Sequence, residues 1–279
     1  MAFLQVDFFS ETFGMSMNMN VILPQEIQVP NPVNGGRFPK PYPVMYLLHG
    51  WNGDHTVWER RTSIERYAAQ TGIAIVMPAV HLSFYSDMAC GLPYWTYLSQ
   101  ELPNVCGQMF PQLSTRREDT WAAGLSMGGY GALKLALGAP ERFSIGASLS
   151  GAVDVASMVH RMASAPAPQE DGITRPKLSF LKIVTSIFGP EDQISGSEND
   201  LFALAQTLKE EGKPMPRLYQ WCGKQDPLYQ DNCRLRDYLT SQGFPLTWED
   251  SDGDHQWEYW DAKIADVLQW IGTQREINR

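Results

Sequence analysis

Short β-rich runs alternate along this chain with stretches of helical periodicity, and few architectures accommodate that alternation. Eight runs read as strands, at residues 4–9, 20–23, 44–49, 73–77, 120–123, 144–149, 217–221 and 246–249. Helical patterns fall at residues 54–70, 127–137, 200–211 and 232–242, with Gly138, Gly212 and Gly243 placed to stop three of them. Near the C-terminus Trp260, Ile264, Val267, Leu268 and Ile271 share one helical face, as a helix packed on a sheet requires. The 94–110 stretch is also helical in pattern, but Pro103 clashes with the preceding turn, so a kink or division is expected there. Parallel strands need long crossover connections, usually helices, whereas the closely spaced first two runs fit an antiparallel edge. The expected fold is therefore α/β: a mostly parallel eight-stranded sheet with helices on both faces.

Residues 153–199 contain Pro166, Pro168, Pro176 and Pro190 and fit no short connection. They are expected to form a cap-like insertion over the C-terminal edge of the sheet, where insertions commonly shape a ligand site. With that decoration the whole chain, 1–279, reads as a single domain.

The composition narrows the function. At 43% hydrophobic residues the chain can bury a substantial core. Its 22 basic against 31 acidic residues give a formal charge of −9, a surface that repels nucleic acid. No apolar run approaches the roughly 18 residues that span a bilayer, so no membrane partner is expected. The first Lys or Arg is Arg37, so the leading segment lacks the charged region of a secretory signal, and a cytoplasmic location is expected. Cys90, Cys106, Cys222 and Cys233 form no CxxC pair and read as buried thiols. His55, His81 and His160 lack metal-like spacing, and neither a dinucleotide fingerprint nor a P-loop survives: Lys134 follows Gly129-x-Gly131, and Gln225 follows Gly223-Lys224. No metal and no cofactor are expected.

One pentapeptide carries chemistry. Gly124-Leu125-Ser126-Met127-Gly128 follows the short strand around Trp121-Ala122-Ala123 and precedes a helix. That is the setting of a nucleophile elbow, in which a tight strand-to-helix turn exposes a serine and flanking glycines remove colliding side chains. The helix end beneath it favours an oxyanion at the Met127 backbone N–H. Gly146, Ser148, Ser150 and Gly151, at the end of the next strand, lack the second elbow glycine and read as structural.

A serine hydroxyl needs a base, and a base needs an orienting acid. His255, in the Asp252-Gly253-Asp254-His255 loop after the last strand, can reach the sheet edge where Ser126 would stand. Asp226 follows the 217–221 strand in a Cys222-Gly223-Lys224-Gln225-Asp226 turn, with Asp231, Asp252 and Asp254 as rivals. The order Ser126, Asp226, His255 is that of α/β hydrolases. His49-Gly50-Trp51 ends the third strand; His49 is read as ordering the backbone, and the Trp51 N–H as the second oxyanion donor. Phe84, Tyr85, Tyr94, Trp95 and Trp257 are candidate pocket walls.

Leu47-Leu48-His49-Gly50, the Ala123 to Gly131 segment and Trp221-Cys222-Gly223-x-Gln225-Asp226 resemble the tributyrin esterase group of the esterase D or S-formylglutathione hydrolase-like α/β hydrolases. The similarity runs nearly end to end, including Glu101-Leu102-Pro103 and His255-x-Trp257-x-Tyr259-Trp260. It implies a serine carboxylesterase for short acyl esters, with Ser126, Asp226 and His255 as triad, Trp51 and Met127 amides as oxyanion hole, and a small-molecule ester as its partner. It also makes a homo-oligomer plausible. Trp51-Asn52-Gly53-Asp54 stands where S-formylglutathione hydrolases carry a cysteine soon after the oxyanion-loop glycine, which weakens a thioester reading. Cinnamoyl or feruloyl esters and carbohydrate acetyl esters are the alternative substrates; a hydrolase fold kept as a binding module is the non-enzymatic one.

Overall fold

The computed structural model describes residues 1–25, 38–164 and 180–277. Its strands are β1 (Ala2–Ser10), β2 (Met15–Leu23), β3 (Val44–Leu48), β4 (Ala74–Pro78), β5 (Thr120–Leu125), β6 (Ile145–Leu149), β7 (Arg217–Gly223) and β8 (Leu246–Ser251). They form one sheet in the order β1-β2-β4-β3-β5-β6-β7-β8. β1 pairs antiparallel with β2, and β2 antiparallel with β4; every other pair is parallel. All eight expected strands are present, and the antiparallel edge is where the close spacing put it.

The helices are α1 (Val57–Arg61), α2 (Ile64–Thr71), α3 (Tyr94–Thr96), α4 (Leu102–Met109), α5 (Met127–Gly138), α6 (Val155–Ser164), α7 (Phe180–Phe188), α8 (Leu201–Glu210), α9 (Tyr229–Ser241) and α10 (Trp257–Ile277). All five residues of β3 are buried, and their period of two serves both faces. Val44, Tyr46 and Leu48 join a core with Leu133 and Leu218, while Met45 and Leu47 join Trp121, Ile264 and Val267 on the other side. A strand apolar on both faces is what a helix-covered parallel sheet demands. Eleven residues of α5 are buried, so the helix behind the elbow is enclosed almost all round. Among the described residues no helix is long and apolar enough to cross a membrane.

Helix boundaries departed from expectation where tertiary contacts intervene. The single helix expected at 54–70 is two: the Thr62 hydroxyl donates to Trp58 O at 2.6 Å, and Thr62 leaves helical geometry with φ −137° and ψ 173°. Asp261 Oδ1 of α10 then accepts the Ser63 N–H at 3.0 Å, so a distant carboxylate starts α2. The stretch around Pro103 is divided as expected: a π-helical turn at Tyr97–Glu101 separates α3 from α4 and leaves Pro103 in the first turn of α4, where a missing N–H costs little. Gly212 and Gly243 stop their helices with φ of 64° and 81°, whereas Gly138 is the last residue of α5 and Ala139 caps it.

Of the segment expected as an insertion, residues 165–179 lie outside the described residues. The remainder carries α6 and α7. The end of α7 is fastened to the loop after β4 by Ala89 N–H to Ile187 O at 2.9 Å and Cys90 N–H to Ser186 O at 2.8 Å.

Candidate active site

The elbow is built from backbone. Ser126 joins β5 to α5 with φ 54° and ψ −120°, a left-handed conformation that costs a β-substituted residue on the order of 1–3 kcal/mol. The turn is held by the Ser126 N–H donating to Leu149 O at 2.9 Å and by the Ala152 N–H donating to Ser126 O at 3.1 Å. A Cβ on Gly124 would stand 2.4 Å from Gly128 O, and one on Gly128 2.3 Å from Leu48 O. Both obstacles are backbone, so neither position admits a side chain while the turn keeps this shape.

Three loops from the C-terminal edge converge on that serine. His255 Nε2 lies 3.0 Å from Ser126 Oγ, and His255 Nδ1 lies 2.8 Å from Asp226 Oδ2. Asp226 is buried, and its other oxygen accepts the Leu228 N–H at 2.9 Å, which fixes the carboxylate plane. The imidazole stands edge-on to Trp260 at 4.8 Å between ring centres. Of the rival carboxylates, Asp231 is engaged by Arg161 and Arg234, and Asp252 lies beside the Gln225 amide. Asp226 is the one hydrogen-bonded to His255.

The loops carrying Asp226 and His255 are stitched together by Gln225, a residue of the Trp221-to-Asp226 motif to which the sequence assigned no role. Gln225 Oε1 accepts the Gly253 N–H at 2.7 Å, and the Gln225 N–H donates to Gly253 O at 2.9 Å. A Cβ on Gly223 would sit 2.3 Å from Gly253 O, so close approach of the two loops requires glycine there. The sequence signals of Gln225 are its place in that motif and its adjacency to the expected acid.

His49 holds the loop on the other side. Its Nε2 accepts the Val80 N–H at 3.2 Å, which leaves the proton on Nδ1 to reach Gly50 O at 2.8 Å. Burial pushes its pKa down to about 4, so the ring is a neutral bridge between two loops, in keeping with the ordering role read from sequence. The Tyr85 hydroxyl donates to His49 O at 2.6 Å. Gly50 packs against the elbow: a Cβ on it would lie 3.5 Å from Ser126 Cβ. Trp51 follows Gly50 in the chain, and the Met127 N–H heads α5 directly after Ser126.

The aromatic candidates separate. The Phe84 ring packs against Trp51 at 5.5 Å, Tyr130 at 5.6 Å and Phe188 of α7 at 5.3 Å. Trp257 packs between Trp58 and Trp260, 5.4 Å from each, and so continues to His255. Tyr94 packs instead on Phe13 and His81, and Trp95 lies over Lys134. Among the described residues there is no cluster of three or more His, Cys, Asp or Glu able to hold a metal ion.

Residues 10–271 match the protein family described as "Putative esterase". The chain belongs to that family. It is 29% identical to the acetyl esterase of Caldicellulosiruptor saccharolyticus over 97% of its own length and 98% of that protein. Among solved structures, the fluorophosphonate-binding serine hydrolase FphF of Staphylococcus aureus, with substrate bound, is 35% identical with a TM-score of 0.82, covering 97% of this chain and 98% of that one. The S-formylglutathione hydrolase FrmB of the same organism is also 35% identical, with a TM-score of 0.80 and the same coverage. The protein is an α/β hydrolase with the activity of a serine carboxylesterase, acting on a small-molecule ester.

Proposed function

We propose that Ser126 is the nucleophile, His255 its general base and Asp226 the acid that orients the base, with the Trp51 and Met127 backbone N–H groups as oxyanion hole. The observation that carries this reading is the continuous relay of 3.0 Å and 2.8 Å from Ser126 Oγ through His255 to Asp226. Ser126 Oγ attacks the ester carbonyl while His255 Nε2 takes its proton; the tetrahedral oxyanion collapses, and the same proton goes to the departing alkoxide. Water then repeats the sequence on the acyl-enzyme and releases the acid. Asp226 holds the imidazole in the tautomer with Nδ1 protonated and stabilises the imidazolium as it forms.

The substrate is read as a short-chain acyl ester such as tributyrin. The aromatic cluster of Trp51, which follows Gly50 in the oxyanion loop, with Phe84 at 5.5 Å and Phe188 at 5.3 Å from Phe84, supports this reading as an apolar wall for the acyl chain. In this reading the described parts of 153–199 cap the site within a single domain. A thioester is the second reading, supported by the 35% identity to an S-formylglutathione hydrolase, and opposed by Trp51 following Gly50 in the oxyanion loop.

Hydrolysis of p-nitrophenyl butyrate by the wild type beside a folded Ser126→Ala variant tests the assignment. Activity confined to the wild type is expected; near-normal turnover by the variant would sink it. Running butyrate, hydroxycinnamate and S-formylglutathione substrates side by side ranks the acyl classes, with butyrate expected to lead.

A further inference from the structure

Lys134 is the one lysine of the nucleophile helix, and it is 1% exposed, with no part in the relay. Its ammonium donates to Ser86 Oγ at 2.9 Å and to Asn199 Oδ1 at 2.6 Å. Both acceptors are neutral. Its remaining surroundings are the faces of Trp95, at 5.1 Å, and Tyr130, at 5.9 Å. The carboxylates that influence it, Glu198 and Asp87, act from further away, and Asp87 is itself committed to the Thr96 N–H and hydroxyl.

A buried charge without a carboxylate in contact costs stability, yet this one is placed at a junction. Ser86 hydroxyl donates to Phe84 O at 2.9 Å, so toward Lys134 it offers only a lone pair. Asn199 O accepts the Tyr130 hydroxyl at 2.8 Å, so Asn199 is gripped twice from α5. Two residues from Ser86, Phe84 packs on Trp51 and Phe188, and Tyr85 holds His49 O. Both of these aromatics have positive φ, 47° and 55°, and so need outside support to stay in place.

We propose that Lys134 is a positioning residue for ester hydrolysis: its ammonium ties the Phe84–Tyr85 segment and the start of α8 to the nucleophile helix, and losing its proton loosens the acyl-side wall. The inference rests on the reading of Ser126 as nucleophile. An ammonium satisfies both acceptors and turns its third N–H toward the rings, whereas a neutral amine turns a lone pair toward them. Burial drags the Lys134 pKa down to about 7, so the loss falls within the working range of an esterase.

The test is steady-state kinetics on p-nitrophenyl butyrate from about pH 6 to 9, with wild type, Lys134→Met and Asn199→Asp, against Ser126→Ala as the blank. In the wild type KM is expected to rise about fivefold as pH climbs past 7. Lys134→Met is expected to show the raised KM at every pH. Asn199→Asp gives the ammonium a carboxylate partner, so the rise should move up by about one pH unit or more. A KM that is flat with pH while turnover still depends on Ser126, or a rise that stays in place in Asn199→Asp, overturns the role of Lys134. Turnover that survives Ser126→Ala overturns the site reading, and this inference with it. Should Lys134→Met fail to fold, wild type and Asn199→Asp decide the matter by themselves.

Discussion

Two turns lie side by side at the C-terminal edge of the sheet, after β5 and after β6, and each places a serine in left-handed geometry. Ser126 has φ 54° and Ser150 φ 48°, and each N–H donates to the next strand, to Leu149 O and Trp221 O respectively. Ser126 Oγ meets an imidazole at 3.0 Å. Ser150 is fully buried, and its Oγ lies beside the Cys222 thiol instead of an imidazole. The backbone strain is thus present twice and the imidazole contact once. What distinguishes the two is an imidazole delivered by a loop 129 residues further along the chain, together with the second glycine that lets α5 start directly beneath Ser126.

Truncating each serine in turn separates the two turns by function. Ser126→Ala is expected to lower kcat/KM by on the order of 10⁴-fold or more, and Ser150→Ala to leave it within about twofold, measured on p-nitrophenyl butyrate. Asp226→Asn removes the group that fixes the His255 tautomer and should cost about 10³- to 10⁴-fold with folding retained by circular dichroism. Gly124→Ala drives a methyl into Gly128 O and should destabilise the fold by roughly 3 kcal/mol in urea titrations, because neither backbone segment can yield alone.

A smaller effect separates the buried bridge from the base. His49 is pushed down to about 4, below its unfolded value of about 6.5, so the unfolded chain binds the extra proton first as acid is added. Stability contributed by neutral His49 is therefore complete above about pH 6.5 and is lost as pH falls toward 4, by about 3 kcal/mol at most. Urea midpoints in that window should fall less steeply in His49→Gln. Smallest of all, Ser150→Gly relieves the positive φ without touching the relay, and should stabilise by about 0.5–1 kcal/mol with activity unchanged.

Much of the fold was legible because it is written in short-range pattern: buried parallel strands are continuous apolar runs, and crossovers between them are helical. The relay residues were legible for a different reason. Ser126 announces itself through its glycines, and the order of the chain leaves few carboxylates and histidines after the right strands. What sequence did not reveal depends on partners distant in the chain. Asp261 divides α1 from α2, Gln225 locks the Asp226 loop to the His255 loop, and nothing in the pattern around Lys134 points to the partners that bury it. The order of β4 and β3 in the sheet was likewise invisible, since both strands carry the same apolar pattern.

Rapid quenching of the wild type with p-nitrophenyl butyrate, followed by peptide mass spectrometry, reads out whether Ser126 carries the acyl group. A single butyryl group on the peptide containing Ser126, formed in the burst of p-nitrophenol release and absent from Ser126→Ala, is the predicted result. A butyryl group on another residue, or rapid turnover with no acyl-enzyme and undiminished in Ser126→Ala, would contradict it.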